Sequence, residues 1–288
     1  MSMLGILASG TPLDHVVQHP FWSARGITIL SNHIVMQMVA AVLLIVLLRR
    51  ACFWVSTGDL FGDLTPRGGR NFVDTICSFL RDYVARPNLG DQTDRFIPYL
   101  WTVFFFILLC NVLGLVPLEP LTRLVLPFGV GGTATGNIWT TGTLAVCTLV
   151  VVVGSGFREN GTAYLRHFFQ GPLFIAPLIA VLELIGLAAK TFALAFRLFA
   201  NMIAGHILLA VLLSLIGMAG ASGLGVGLAA AVPIVLVSVV FNFLELFVAF
   251  LQAFVFTFLT AVFIGQAVQI HHGEPSGEAA AGAGATHH

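Results

Sequence analysis

The chain has 288 residues, of which 58% are hydrophobic and 9% charged, with a mean hydropathy of +0.97 and a formal net charge of zero. Soluble domains carry about 25% charged residues, so a chain this poor in charge cannot cover itself with a solvated surface and takes lipid as its solvent. The balanced charge and the absence of a basic block exclude a nucleic-acid partner. No cofactor or metal site is expected either. The four cysteines, Cys52, Cys77, Cys110 and Cys147, form no CxxC pair and read as free thiols.

The segment 1–28 is expected to lie outside the membrane domain, on the external side. It lacks a basic region before its short apolar stretch, Met3 to Ala8, so a cleaved signal peptide is not expected. The first span runs over 29–48, the length a bilayer core requires. Arg49 and Arg50 close it, and the excess of cationic residues in cytoplasmic loops places that end inside. After a polar turn, Thr57 to Gly69, the segment 70–86 reads as an amphipathic helix. Phe72, Ile76, Phe79, Leu80 and Tyr83 recur at helical spacing, with Arg70, Asp74, Arg81 and Asp82 opposite. Such a helix lies on the membrane surface or packs on a partner subunit.

The segment 97–118 carries no charge on its apolar run and forms a second span. The GVGG run in the external loop after it lacks the Lys-Ser/Thr of a phosphate loop and is read as a loop only. Residues 138–154 return as a third span, followed by Arg158, Arg166 and His167 on the cytoplasmic side. Two long apolar stretches follow, 172–216 and 233–270, joined by the Gly-rich segment Gly217 to Gly227. As helices they would be about 67 and 57 Å long at 1.5 Å per residue, against a hydrocarbon core of about 30 Å. The fold class that follows is an all-α membrane protein. It has about five membrane helices and one interfacial amphipathic helix, the last two helices being long and strongly tilted. The tail 271–288, rich in Ala, Gly and Glu, is expected to be disordered.

Within the last two stretches stand four charged residues: Glu183, Lys190 (the only lysine), Arg197 and Glu245. A charge at mid-bilayer costs about 2.5–3.5 kcal/mol on insertion scales, so such groups need water, partners or a function. Glu183, Lys190 and Arg197 are seven apart and Asn201 lies four beyond, which keeps them near one helix face. Asn242, Glu245 and Gln252 make the second long helix polar, and the last two share a face. Two polar stripes joined by a turn face each other or a shared cavity. His206, nine residues past Arg197, points elsewhere and belongs to a separate wet region. Glu183 and Lys190 also fit simple snorkelling toward an interface, and Asn201 and Gln252 fit hydrogen bonding between packed helices.

The run KTFALAFRLFANMIAGH, Lys190 to His206, resembles the signature of subunit a of F-type ATP synthases. LQAFVFTFLT, Leu251 to Thr260, resembles the family's second signature, and Asn111 in LLCNVLGLVP its first hairpin helix. The resemblance covers about residues 95–270. Many bacterial members have an acid where this chain has His206 and a histidine where it has Glu245. This chain has the exchange, as mitochondrial members do, which fits two side chains that meet across the hairpin. An Asp common near Gly114 is absent, so that helix is not expected to give the path an acid.

The resemblance implies a non-catalytic, stationary channel subunit in a multi-pass arrangement in a bacterial plasma (inner) membrane. Its N-terminus would be external and its C-terminus cytoplasmic. Its partners would be a rotor ring of c-type hairpin subunits, peripheral-stalk b-type subunits and the lipid bilayer. Protons, or Na+, would pass through two offset half-channels. The residues implied for translocation are Arg197, Asn201, His206, Glu245 and Gln252, with Glu183, Lys190, Asn111 and Asn242 as possible channel lining. A secondary ion-coupled transporter would also hold charges at the midplane, but such folds usually carry internal repeats, and none is visible.

Overall fold

A computed structural model describes residues 20–24, 27–52, 69–116, 134–161 and 176–268. GVGG, Arg166, His167 and the segments 1–19 and 269–288 lie outside the described residues. Five helices are long and apolar enough to cross a membrane, and the membrane part of the chain is all-α.

An antiparallel ribbon precedes them. Strand β1 (Pro20–Ala24) pairs with β2 (Ile27–Ser31), Pro20 opposite Ser31 and Ala24 opposite Ile27. Residues 29–31, expected in the first span, are therefore strand. The span is helix α1 (Asn32–Cys52).

The amphipathic segment does not stand apart. Helix α2 (Gly69–Phe79) runs into a π-helical turn (Leu80–Ala85) and the short α3 (Arg86–Leu89). A 3-10 turn at Gly90–Gln92 then leads into α4 (Thr93–Leu115). Gly90, at φ 54°, supplies the conformation that reverses the chain. The π turn inserts one extra residue into the helical repeat and splits the expected apolar face in two. Leu80, Val84 and Leu89 are buried against the bundle, while Phe72, Phe79 and Tyr83 are exposed. Trp101 Nε1 donates to the Cys77 carbonyl at 3.0 Å, so α2 lies along its own chain.

The segment after α4 returns into the bundle as a 3-10 turn, Ala134–Gly136, with all three residues buried. Asn137 caps the next helix, α5 (Ile138–Asn160), by accepting from the Trp139 backbone N–H at 2.9 Å. At the opposite, polar end of these helices Arg95 is paired with Glu159, which also accepts from Gln92 at 3.3 Å.

Helices α6 (Ala176–Ala221) and α7 (Leu224–Val268) are 46 and 45 residues long. The Gly-rich segment is thus not a turn of eleven residues; only Ser222 and Gly223 separate the helices, and Gly223 has φ 139°. Pro233 lies inside α7 and does not begin it. Lipid offers no partners to free backbone groups, so the chain stays helical through residues that would break a helix in water. At 1.5 Å per residue each helix is about 68 Å long, so keeping it within a bilayer of about 30–45 Å requires a lean of roughly 50–65° from the normal.

The core lies where α2, the π turn and α4 meet α6 and α7. Phe104, Leu100, Ile107, Leu198, Phe256 and Ile264 are its largest buried members. The π turn and α3 run beside α7: Phe79, at the end of α2, lies near Phe254, 6.0 Å between tilted rings, and the Asn88 carbonyl of α3 sits against Gly265, where a Cβ would collide with it.

Candidate functional site

The α6–α7 hairpin is an antiparallel ladder with three close approaches. Near its tip Gly227 lies against Gly220, where a Cβ would come 2.8 Å from the Gly220 Cα. Midway, His206 meets Glu245. At the open end Lys190 Nζ donates to Gln266 Oε1 at 3.3 Å and sits 5.3 Å from the Phe263 ring centre. Between the last two contacts the ladder brings Asn201 level with Gln252 and Arg197 level with Phe256.

Glu245 is 8% exposed in the middle of an otherwise oily helix. Its Oε1 is buried without a hydrogen-bond partner, and His206 Nδ1 lies 3.9 Å from it, an ion-pair distance longer than a hydrogen bond. The carboxylate comes this close to α6 because residue 205 is glycine. A Cβ there would stand 2.6 Å from the Glu245 Cδ. The glycine of the signature run is a steric requirement of the acid on the facing helix.

One face of α7 carries Glu245, Ala249 and Gln252, spaced i, i+4 and i+7. Gln252 is 6% exposed, and its Nε2 also lacks a partner. Between them the Ala249 carbonyl accepts from Asn111 Nδ2 at 3.3 Å, and Asn111 Oδ1 accepts from Thr135 Oγ1 at 2.8 Å. Asn111 is fully buried. This bond ties α4 and the buried 3-10 turn to α7 one helical turn beyond Glu245. The face therefore holds a satisfied hydrogen bond at its centre and an unsatisfied polar atom at each end. Leaving a buried donor or acceptor unmade costs about 1–3 kcal/mol, and a bound water at either end would offset it.

Arg197 sits differently. On α6 the face of Leu194, Leu198 and Met202 is buried, and Arg197 lies off it, exposed. Its guanidinium has no hydrogen bond or ion pair among the described residues. Asn201, four residues on, is partly buried. Asn242 is exposed, off the Glu245 face. The side chain of Glu183 lies outside the described residues. The described part of the polar stripe, Lys190–Arg197–Asn201, is not one environment: Lys190 reaches Gln266 of α7, while Arg197 is exposed beside the buried face and Asn201 is partly buried. Gly205, Thr135 and Gln266 did not stand out by residue type; only the position of Gly205 inside the signature run pointed to it.

The fold and the site together define a class: a polytopic helical membrane protein whose ionisable groups are carried inside a pair of overlong, antiparallel helices. The comparisons place it more closely. The family model described as ATP synthase A chain matches residues 34–265. ATP synthase subunit a 2 of Chlorobaculum tepidum is 40% identical over 255 residues, covering 87% of this chain and 67% of that protein. ATP synthase subunit a of Myxococcus xanthus is 40% identical over 263 residues, covering 90% and 79%. That of Chloroherpeton thalassium is 39% identical over 263 residues, covering 87% and 70%. The chain belongs to the ATP synthase A chain family.

Proposed function

We propose that this chain is the stationary, non-catalytic membrane subunit through which protons cross a rotary ATP synthase. The observation that carries this reading is the hairpin itself. It holds a buried, unpartnered carboxylate beside an imidazole on one face and a bare guanidinium on another. The names of its relatives bring the assembly with them, so its partners are a rotor ring of c-type hairpin subunits and peripheral-stalk b-type subunits. The setting is a bacterial plasma membrane, the N-terminus external and the C-terminus cytoplasmic.

Each ring carboxylate is neutral while it faces lipid, because desolvation penalises the charged form. Beside Arg197 the ionised form is favoured. Arginine keeps its charge at any working pH, where a buried lysine would lose it. Arg197 thus separates two offset aqueous half-channels and repels a proton that would leak straight between them. Glu245 and His206 belong to the external half-channel; Gln252 and Asn201 line the water beside the arginine. Asn111 acts through the Ala249 carbonyl by fixing the α7 face, and Asn242, Lys190 and Glu183 stand farther along the paths. A proton driven through gains about 2.3 kcal/mol per 100 mV, and the ring turns by one subunit.

The test is Arg197→Ala in the intact complex. Assembly is expected to persist while proton-driven ATP synthesis and ATP-driven pumping fall to background. Pumping at the wild-type rate would falsify the mechanism.

A further inference from the structure

Lys190 presents a chemistry that its place along the proton path does not exhaust. Its ammonium has three donors, and the structure gives it one acceptor, Gln266 Oε1 at 3.3 Å, beside the Phe263 ring. Among the described residues no carboxylate lies within ion-pair distance of it, whereas three cations at the polar end of the bundle are paired. Arg81 meets Asp94 at 2.6 Å, Arg86 meets Asp82 at 3.3 Å, and Arg95 meets Glu159. Glu183, seven residues back on α6, is about 10 Å away along the axis.

The height of the ammonium follows from its neighbours. Gln266 precedes Ala267, whose carbonyl accepts from Asn160 Nδ2 at 2.8 Å at the last residue of α5. Glu159, next to Asn160, is the hub of the Arg95 and Gln92 contacts. The Lys190 Nζ contact thus sits one residue along α7 from the bond that ties the end of α5, toward the charge-paired end of the bundle. Below it opens a cleft between α5, α6 and α7, walled by Thr148, Leu149, Val152, Leu194 and Phe263.

We propose that this cleft is a binding site for one anionic phospholipid. Its phosphate is held by the Lys190 ammonium and the Gln266 amide, and an acyl chain lies in the apolar part of the cleft. Gln266 bridges naturally: its Oε1 accepts from the lysine, leaving Nε2 to donate to a phosphate oxygen. The charge of the lysine finds its counterion in the membrane, in keeping with the lack of one for it among the described residues. The occupant must be a lipid rather than free phosphate, because most of the cleft is apolar.

The test counts lipids on the intact, purified ATP synthase by native mass spectrometry, for wild type, Lys190→Arg, Lys190→Gln and Lys190→Ala. Wild type and Lys190→Arg are expected to retain one more phosphatidylglycerol per complex than the two neutral variants. Phosphatidylethanolamine should be retained equally by all four, and inorganic phosphate should not displace the extra lipid. If Lys190→Ala fails to assemble, the contrast of Lys190→Gln with Lys190→Arg decides. Equal phosphatidylglycerol in all variants overturns the proposal, as does displacement by inorganic phosphate or equal preference for phosphatidylethanolamine. None of these readouts depends on proton passage, so the lipid site can fail while the translocation reading stands.

Discussion

The two halves of the chain bury themselves to different degrees. In the most apolar stretch of the segment Asn71–Leu115, half of the residues are buried within the chain, and in Ile138–Asn160 a third. In Ile185–Ala221 the share is 6%, and in Gly225–Val268 it is 11%. Yet the second pair has the higher hydropathy, 2.3 and 2.5. Hydrophobicity in water would drive the oiliest helices to the centre. Here they form the rim, because lipid serves apolar side chains as well as protein does. The polar groups follow the same division. In the first half Gln37 bonds Thr140 at 2.6 Å and Tyr99 bonds Thr148 at 3.2 Å. In the hairpin, among the described residues, Glu245 Oε1 and Gln252 Nε2 have no partner and Arg197 stands bare. Among the described residues the first half is a scaffold with one buried polar atom left unpartnered, Arg81 Nε, and the hairpin, with two, is a half-site.

That contrast breaks first at the Glu245–His206 pair. Glu245→His or His206→Glu alone leaves two like groups facing each other across 3.9 Å and is expected to remove most proton-driven ATP synthesis. The double exchange restores one acid and one imidazole and should recover more activity than either single change. Measured in inverted membrane vesicles, equal loss in all three variants would separate the two side chains functionally. A weaker effect is expected one residue away. Gly205→Ala adds a methyl group where the Glu245 carboxyl already stands, so the carboxyl must withdraw from α6. Overpacking of this kind costs about 1–3 kcal/mol. A severalfold fall in transport with normal assembly is expected. Gly217→Ala on the same helix, where a Cβ meets nothing within 4 Å, should be silent; a matching loss there would show that the fall comes from glycine as such and not from the acid it faces.

Most of the first half was legible as element positions, because span length and flanking charge are properties of single segments. The phase shift at Leu80–Ala85 was not: a π turn leaves the residue types unchanged and moves only the face they point to. Nor was the return of Ala134–Gly136 into the bundle, since three small residues after a glycine run look like loop. In the hairpin Arg197 and Glu245 were legible because a charge in an apolar run is conspicuous in one dimension. The need for glycine at 205 and the partnership of Lys190 with Gln266 depend on which residues of α6 and α7 lie level. The turn decides that, and placing it at Ser222–Gly223 rather than across Gly217–Gly227 sets the register of the whole ladder. The site was readable as a set of groups, and the structure supplied their pairing.

Smaller effects test whether the first half is as self-contained as its hydrogen bonds indicate. Asn111→Ala removes both the bond to the Ala249 carbonyl and the acceptor of Thr135, leaving a buried hydroxyl to find another partner. Interhelical bonds of this kind in membranes are worth about 0.6 kcal/mol on average and up to about 1.7. A loss in that range in the thermal stability of the complex is expected. Transport should fall with it, since Ala249 is one turn from Glu245. If stability falls and transport does not, the bond serves the scaffold alone.

The smallest effect is expected at Arg86, whose Nη1 lies 3.3 Å from Asp82 Oδ1 one turn back, with both side chains about half exposed or more. Water and salt screen such a pair, and long side chains lose entropy in holding it, so exposed i,i+4 pairs contribute about 0.3–0.5 kcal/mol. Arg86→Ala should change stability by no more than that, and raising the ionic strength should erase the difference. The residue nonetheless stands at the first position of α3, two residues before Asn88, whose carbonyl lies against Gly265 of α7. A larger loss that persists at high salt would mean that Arg86 anchors this short helix against the hairpin rather than balancing a surface charge. The boundary between scaffold and half-site would then run through α3, not between the third and fourth spans.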